Sequence, residues 1–186
     1  MPSAIRMLAI VTGLLSLCGC VPSLHPLYTE NDRITESDLL GTWTQSESKD
    51  TWEFESASDE SYVLTYTEKG VAAKFQANLV QLGEHLFLDL YPAEEADVRN
   101  DLLKLHLVPA HTFARLTIKE DVLQLTMMDN DWLRGKLTRK ELSIPHQALD
   151  DGIVLTASTK ELQAFVTKLA VDPQAFPKPT ILKRTE

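Results

Sequence analysis

Cysteine is nearly absent from this 186-residue chain: there are two, Cys18 and Cys20, one residue apart. A disulfide between such close neighbours is badly strained, and a C-x-C pair with no other cysteine lacks the ligands of a metal centre. Glycine is also scarce, with seven in all. None has the close spacing that lets backbone amides cradle a phosphate, which removes support for nucleotide chemistry. The longest apolar run, Met7 to Leu17, falls well short of the roughly 20 residues a helix needs to cross a bilayer. Positive charge is in deficit too: 18 basic against 27 acidic residues give a net charge of -9. Such a chain is a poor binder of nucleic acid.

What is present begins with Arg6, the apolar run behind it and a close in small residues, the order of a secretion signal. Its end, Leu17-Cys18-Gly19-Cys20, resembles the lipobox of bacterial lipoproteins. The resemblance implies that residues 1–19 are removed, Cys18 with them, and that Cys20 becomes a thioether to diacylglycerol with an acylated amino group, commonly palmitate. Each buried methylene contributes about 0.8 kcal/mol, so two or three chains hold a protein durably on a membrane. An ordinary cleaved signal is the other reading of this stretch. Cleavage before Cys20 leaves 167 residues, enough for one domain with a sizeable core. Val21 stands where aspartate marks inner-membrane retention, so the expected address is the periplasmic face of the outer membrane. The run from Cys20 to Thr29 also looks like the mature start of uncharacterised bacterial lipoproteins, a likeness that carries no activity.

Residues 20–37, with Pro22 and Pro26 and no sustained apolar period, read as a lipidated N-terminus and tether. Leu24 and Leu27-Tyr28 are patches that can dock onto the body. The body, 38–186, is a single domain. From Leu39 apolar and polar residues alternate as in half-buried strands: Trp52 and Phe54; Tyr62, Leu64 and Tyr66; Phe75, Ala77 and Leu79; Leu86, Leu88 and Leu90; Leu105 and Leu107; Ala114, Leu116 and Ile118; Leu123, Leu125 and Met127. Short breaks at Ser58-Asp59, Lys69-Gly70, Gly83-Glu84 and Glu120-Asp121 favour antiparallel neighbours. A short helix around Trp132, Leu133 and Leu137 follows, with Asp131 as its expected cap. After a strand at Ile153 to Leu155, Ser158-Thr159-Lys160-Glu161 forms a capping box. It opens an amphipathic helix carrying Leu162, Phe165, Val166 and Leu169 on one face. Thr180 to Lys183 supplies a last strand. The fold class is mainly β, an antiparallel up-and-down meander with one short and one C-terminal helix.

Gly41, Thr42 and Trp43 match the G-x-W of the lipocalins, and the order of elements over Leu39 to Arg184 is similar to lipocalin-like barrels. That resemblance implies a tryptophan packed across the closed end of the barrel and a cavity for a small apolar ligand. The late arginine of that family would fall near Ala157 and Ser158, where this chain has none. Trp43, Trp52, Phe54, Tyr62, Tyr66 and Phe75 share one interior in this register and are the candidate ligand-binding residues. His85, Phe87, Asp89 and Tyr91 form an outward row on the other side of their strand, suited to a helix or a partner.

No catalytic set emerges. Ser46 and Lys49 have S-x-x-K spacing but lack the companion motifs. His106 and His111 fall on opposite faces of a regular strand, and aspartates at 97, 101, 129, 131, 150 and 151 suit turns and helix caps as well as calcium. Neither a metal nor another cofactor is expected. The expected function is non-enzymatic binding of a small hydrophobic ligand or lipid by a membrane-anchored lipoprotein. The alternative is an accessory lipoprotein that binds another envelope protein.

Overall fold

The computed structural model describes residues 20–45, 48–93, 101–104, 106–150 and 152–185. The signal with Cys18, Ser46, the acidic run 94–100, Leu105 and Asp151 lie outside the described residues. In chain order the strands are β1 (Pro22–Ser23), β2 (Arg33–Ile34), β3 (Gly41–Gln45), β4 (Thr51–Ser56), β5 (Tyr62–Glu68), β6 (Val71–Leu82) and β7 (His85–Pro92). Helix α1 (Asp101–Lys104) precedes β8 (His111–Lys119) and β9 (Val122–Met127), and α2 (Asn130–Thr138) precedes β10 (His146–Leu149) and β11 (Gly152–Leu155). Helix α3 (Thr159–Leu169) and β12 (Thr180–Arg184) complete the order.

Strands β3 to β9 pair antiparallel in sequence, and β12 pairs with both β9 and β3, closing an eight-stranded up-and-down barrel. Its reversals place Asp59, Glu60, Lys69, Gly70, Gly83 and Glu120 at positive φ, the tight turns expected between antiparallel neighbours.

Alternation builds two cores from the same strands. Inside the barrel lie Trp43, Phe54, Tyr62, Leu64, Leu79, Leu88, Leu116, Leu123 and Leu182, all buried. The other faces of β6, β7 and β8 bury Val80, Phe87 and Phe113 against Leu162 and Val166 of α3, Leu133 of α2 and Phe176. Of the outward row of β7, Phe87 is therefore covered by the chain's own helix side and Asp89 is buried, whereas His85 and Tyr91 stay partly exposed. Phe87 is 0% exposed, with its ring centroid 6.2 Å from that of Phe176, so it is not a surface for a second protein. Arg115 lies over the Phe176 ring and donates to the carbonyl of Ala170.

Four sequence expectations need correction. The segment read as a tether is built into the fold: Val21 and Leu27 are buried, and β1 pairs with β8 on one side and β11 on the other. Of its docking patches Leu27 is wholly enclosed, whereas Leu24 stays 44% exposed. His106 and Leu107 are not strand; His106 closes a turn onto Leu103, and Leu107 is exposed. The cap of α2 is Asp129, which accepts from the Trp132 amide at 2.8 Å, because the helix starts two residues earlier than the apolar spacing suggests. The strand β11 does not enter the barrel but joins β10 and β1 beside it. The capping box of α3 forms as expected, with the Ser158 hydroxyl accepting from the Glu161 amide.

Candidate ligand-binding site

One end of the barrel is sealed by a single stacked pair. Trp43 is 0% exposed and donates from Nε1 to the carbonyl of Leu39 at 2.8 Å. The Arg184 guanidinium lies 4.3 Å from the Trp43 ring centroid and donates to the carbonyls of Leu40 at 2.6 Å and Asp38 at 2.7 Å. A flat cation over an indole is a favourable contact, and here its edges also bind two backbone acceptors. Gly41 has φ +109, and a Cβ there would meet Arg184 Nη1 at 3.1 Å, so glycine serves both the turn and the close approach.

Register brings all six candidate aromatic residues to the inner face. Trp43 pairs with Trp52 and Trp52 with Tyr66; Phe54 pairs with Leu64 and Leu64 with Phe75; Tyr62 pairs with Ala77. Their burial is graded along the barrel. Trp43, Phe54 and Tyr62, towards the sealed end, are buried, whereas Trp52, Tyr66 and Phe75 are partly exposed. The Tyr62 hydroxyl accepts from the Glu36 amide at 2.6 Å and donates to the Glu36 carbonyl at 3.1 Å. Burial raises its pKa, which keeps it a neutral donor. Trp52 and Tyr66 face each other at 4.8 Å between centroids. Desolvation again raises the Tyr66 pKa, with the charges of Asp50 and Glu68 adding to it.

Two further polar places lie outside the barrel. Under the N-terminal segment, the Asp89 carboxylate is 0% exposed; one oxygen meets His111 Nδ1 at 2.7 Å and the other accepts the Leu27 amide at 2.8 Å. The imidazole sits between Tyr91, 4.5 Å between centroids, and the edge of Tyr28 at 6.4 Å. Ser23 is buried opposite His111 in the β1–β8 register, so it does not present a nucleophile to solvent. The pair therefore fastens the N-terminal segment to β7 and β8. An open polar hollow is lined by Glu30, Arg33, Asp59, Glu60 and Gln76, with Ser58 and Ser61. Arg33 spans it to the Asp59 carbonyl.

No group of three or more histidine, cysteine, aspartate or glutamate side chains converges on a metal position among the described residues. His106 turns to the Leu102 carbonyl and His111 to Asp89, so the two histidines do not meet. Cys20 is half-buried next to the sheet and leads directly into buried Val21. No helix among the described residues is long and apolar enough to cross a membrane. Asp89 and Arg184 were not among the candidate site residues, and His111 was weighed only with His106 for a metal; Asp89 is visible in sequence only as a charge within the outward row of β7. No family model matches the chain, and neither does any curated protein or any solved structure.

Proposed function

We propose that this chain is a lipid-anchored protein of the bacterial envelope, on the periplasmic face of the outer membrane, whose barrel binds a small hydrophobic ligand or lipid without catalysis. The observation that carries the reading is the gradient of burial along the inner face. One end is sealed by Trp43 and Arg184, and the inward rings of Trp52, Tyr66 and Phe75 towards the other end stay partly exposed. Apolar and aromatic lining with a few placed polar groups is what small-ligand sites are made of. Tyr66 supplies a hydroxyl within that lining, whereas the hydroxyl of Tyr62 is taken up by the Glu36 backbone.

Native mass spectrometry of the protein purified from its membrane, in mild detergent, tests the ligand. A lipid adduct on the wild type that is lost in Trp52→Ala supports the reading, and bare protein in every charge state overturns it. The anchor is tested apart from the ligand by feeding labelled palmitate. Wild type takes up label and sediments with outer membranes, whereas Cys20→Ser takes up none and is released. The other reading, an accessory lipoprotein holding an envelope protein through Phe87 and Tyr91, loses its central residue, because Phe87 is enclosed by the chain itself.

A further inference from the structure

The partly exposed rings have acid beside them. Trp52 and Tyr66 are cross-strand partners with planes inclined at 51°. Glu68 closes β5 two residues beyond Tyr66, so strand alternation keeps it on the inward row of Tyr66, and Asp50 lies just before β4, where its carboxylate meets the turn after β5. Their proximity is independently visible at the phenol of Tyr66, which both charges disfavour from ionising. Asp50 Oδ1 accepts the Lys69 backbone amide at 3.3 Å, which fixes the carboxylate and leaves its charge in place. Glu68 pairs with Lys69 at 3.8 Å, joining an ammonium that is 85% exposed to a carboxylate that is 51% exposed. Such a pair is loose and screened by water.

Aromatic faces attract cations through their quadrupole, and fixed carboxylates add to that attraction while repelling a carboxylate headgroup. On the same inner face, Phe75 and Met127 are apolar and partly buried. We propose that the barrel end formed by Trp52, Tyr66, Asp50 and Glu68 binds an amphiphile with a positively charged alkylammonium head. The rings and the two carboxylates receive the head, and Phe75 and Met127 receive the start of the tail. This assignment rests on the barrel being the ligand site and adds the charge of the ligand to it.

Three single-chain probes of equal tail length separate the two ideas: decyltrimethylammonium, decanoate and neutral decyl maltoside. Each is titrated below its micelle concentration into the purified protein and followed by tryptophan emission. The ammonium probe is expected to bind at least about tenfold tighter than decanoate, with the neutral probe between them, and added salt narrows the gap. In the double variant Asp50→Asn, Glu68→Gln the preference falls to about parity. Both sites are polar and lie at the rim, and far-UV circular dichroism checks that the fold is kept. Equal binding of all three probes, or tighter binding of decanoate, overturns the headgroup assignment and leaves the barrel reading standing. A preference that survives in the double variant also overturns it, since the selecting charge then lies elsewhere. If no probe binds, the barrel reading falls and the headgroup assignment with it.

Discussion

Arg184 does two jobs that no apolar residue at that position combines. Its guanidinium covers Trp43 and at the same time donates to the carbonyls of Asp38 and Leu40 at the turn Ser37–Leu39. Lysine keeps the charge but not the planar fork, so Arg184→Lys is expected to lose most of what Arg184→Ala loses, on the order of 1–3 kcal/mol in urea titration. The Asp89–His111 pair is costlier to disturb. Both oxygens of a fully enclosed carboxylate are engaged, one by the imidazole and one by the Leu27 amide. Asp89→Ala strands both donors in the interior and is expected to cost about 3–5 kcal/mol. Its cross-strand neighbour Asn78 is the reverse case: it is 0% exposed, and neither side-chain polar atom has a partner. Asn78→Leu is therefore expected to raise stability by about 1 kcal/mol, read from the urea midpoint, whereas a loss of that size shows that the amide is satisfied in solution.

The N-terminal segment and α3 act as one element although they are far apart in sequence. Gln163 donates to the Leu27 carbonyl at 2.9 Å and to the Asp32 carboxylate at 2.7 Å, and the Thr159 hydroxyl donates to the Pro26 carbonyl at 2.9 Å. Two carboxylates at this junction titrate below their ordinary values: Asp32 chiefly because it accepts from the Thr29 hydroxyl, and Glu161 chiefly because it accepts from Ser158. A carboxylate whose pKa is lowered by folding contributes stability above its unfolded value, and that contribution is lost as pH falls through the folded value. The junction is thus expected to hold through the ordinary carboxylate range and loosen below it. Hydrogen exchange checks this: amides at Leu27 and Gln163 gain exchange at a higher pH than those of Leu64 and Leu88. Uniform loss across all four amides counts against a local junction. This element also marks where reading the sequence stops. The strands β4 to β7 are legible because alternation and turns are local signals, and the capping box of α3 is local as well. The N-terminal segment looks like a tether because its two strands are two residues long and its bonds into the body reach partners 26 to 136 residues away. The Arg184 stack on Trp43 is equally remote, and no local signal in the sequence marks it. The inward aromatic set was legible for a different reason, since alternation alone assigns its face, but its gradient of exposure depends on which end is sealed.

At the scale of the whole molecule, the decisive fact is that β6, β7 and β8 serve two cores at once. Leu79 and Val80, Leu88 and Phe87, and Ala114 and Phe113 are neighbours in sequence that bury themselves in opposite layers. Removing the outer layer of α2, α3 and the N-terminal segment would uncover Val80, Leu82, Phe87 and Phe113 together, and at roughly 1.5–3 kcal/mol per large side chain that exposure is too costly for the barrel to stand alone. The two cores are therefore expected to unfold in one transition. Tryptophan gives a probe for each layer, because Trp43 is enclosed in the barrel while Trp132 lies on α2 and packs against the outer core. Chains retaining only Trp43 or only Trp132 are expected to show the same guanidinium midpoint and slope. Val166→Ala, a cavity made in the outer core, is expected to lower the midpoint reported by Trp43 as much as that reported by Trp132, through a loss of about 1–3 kcal/mol. If the Trp132 signal moves alone, the outer layer is an independently melting cover, and the barrel carries its own stability without it.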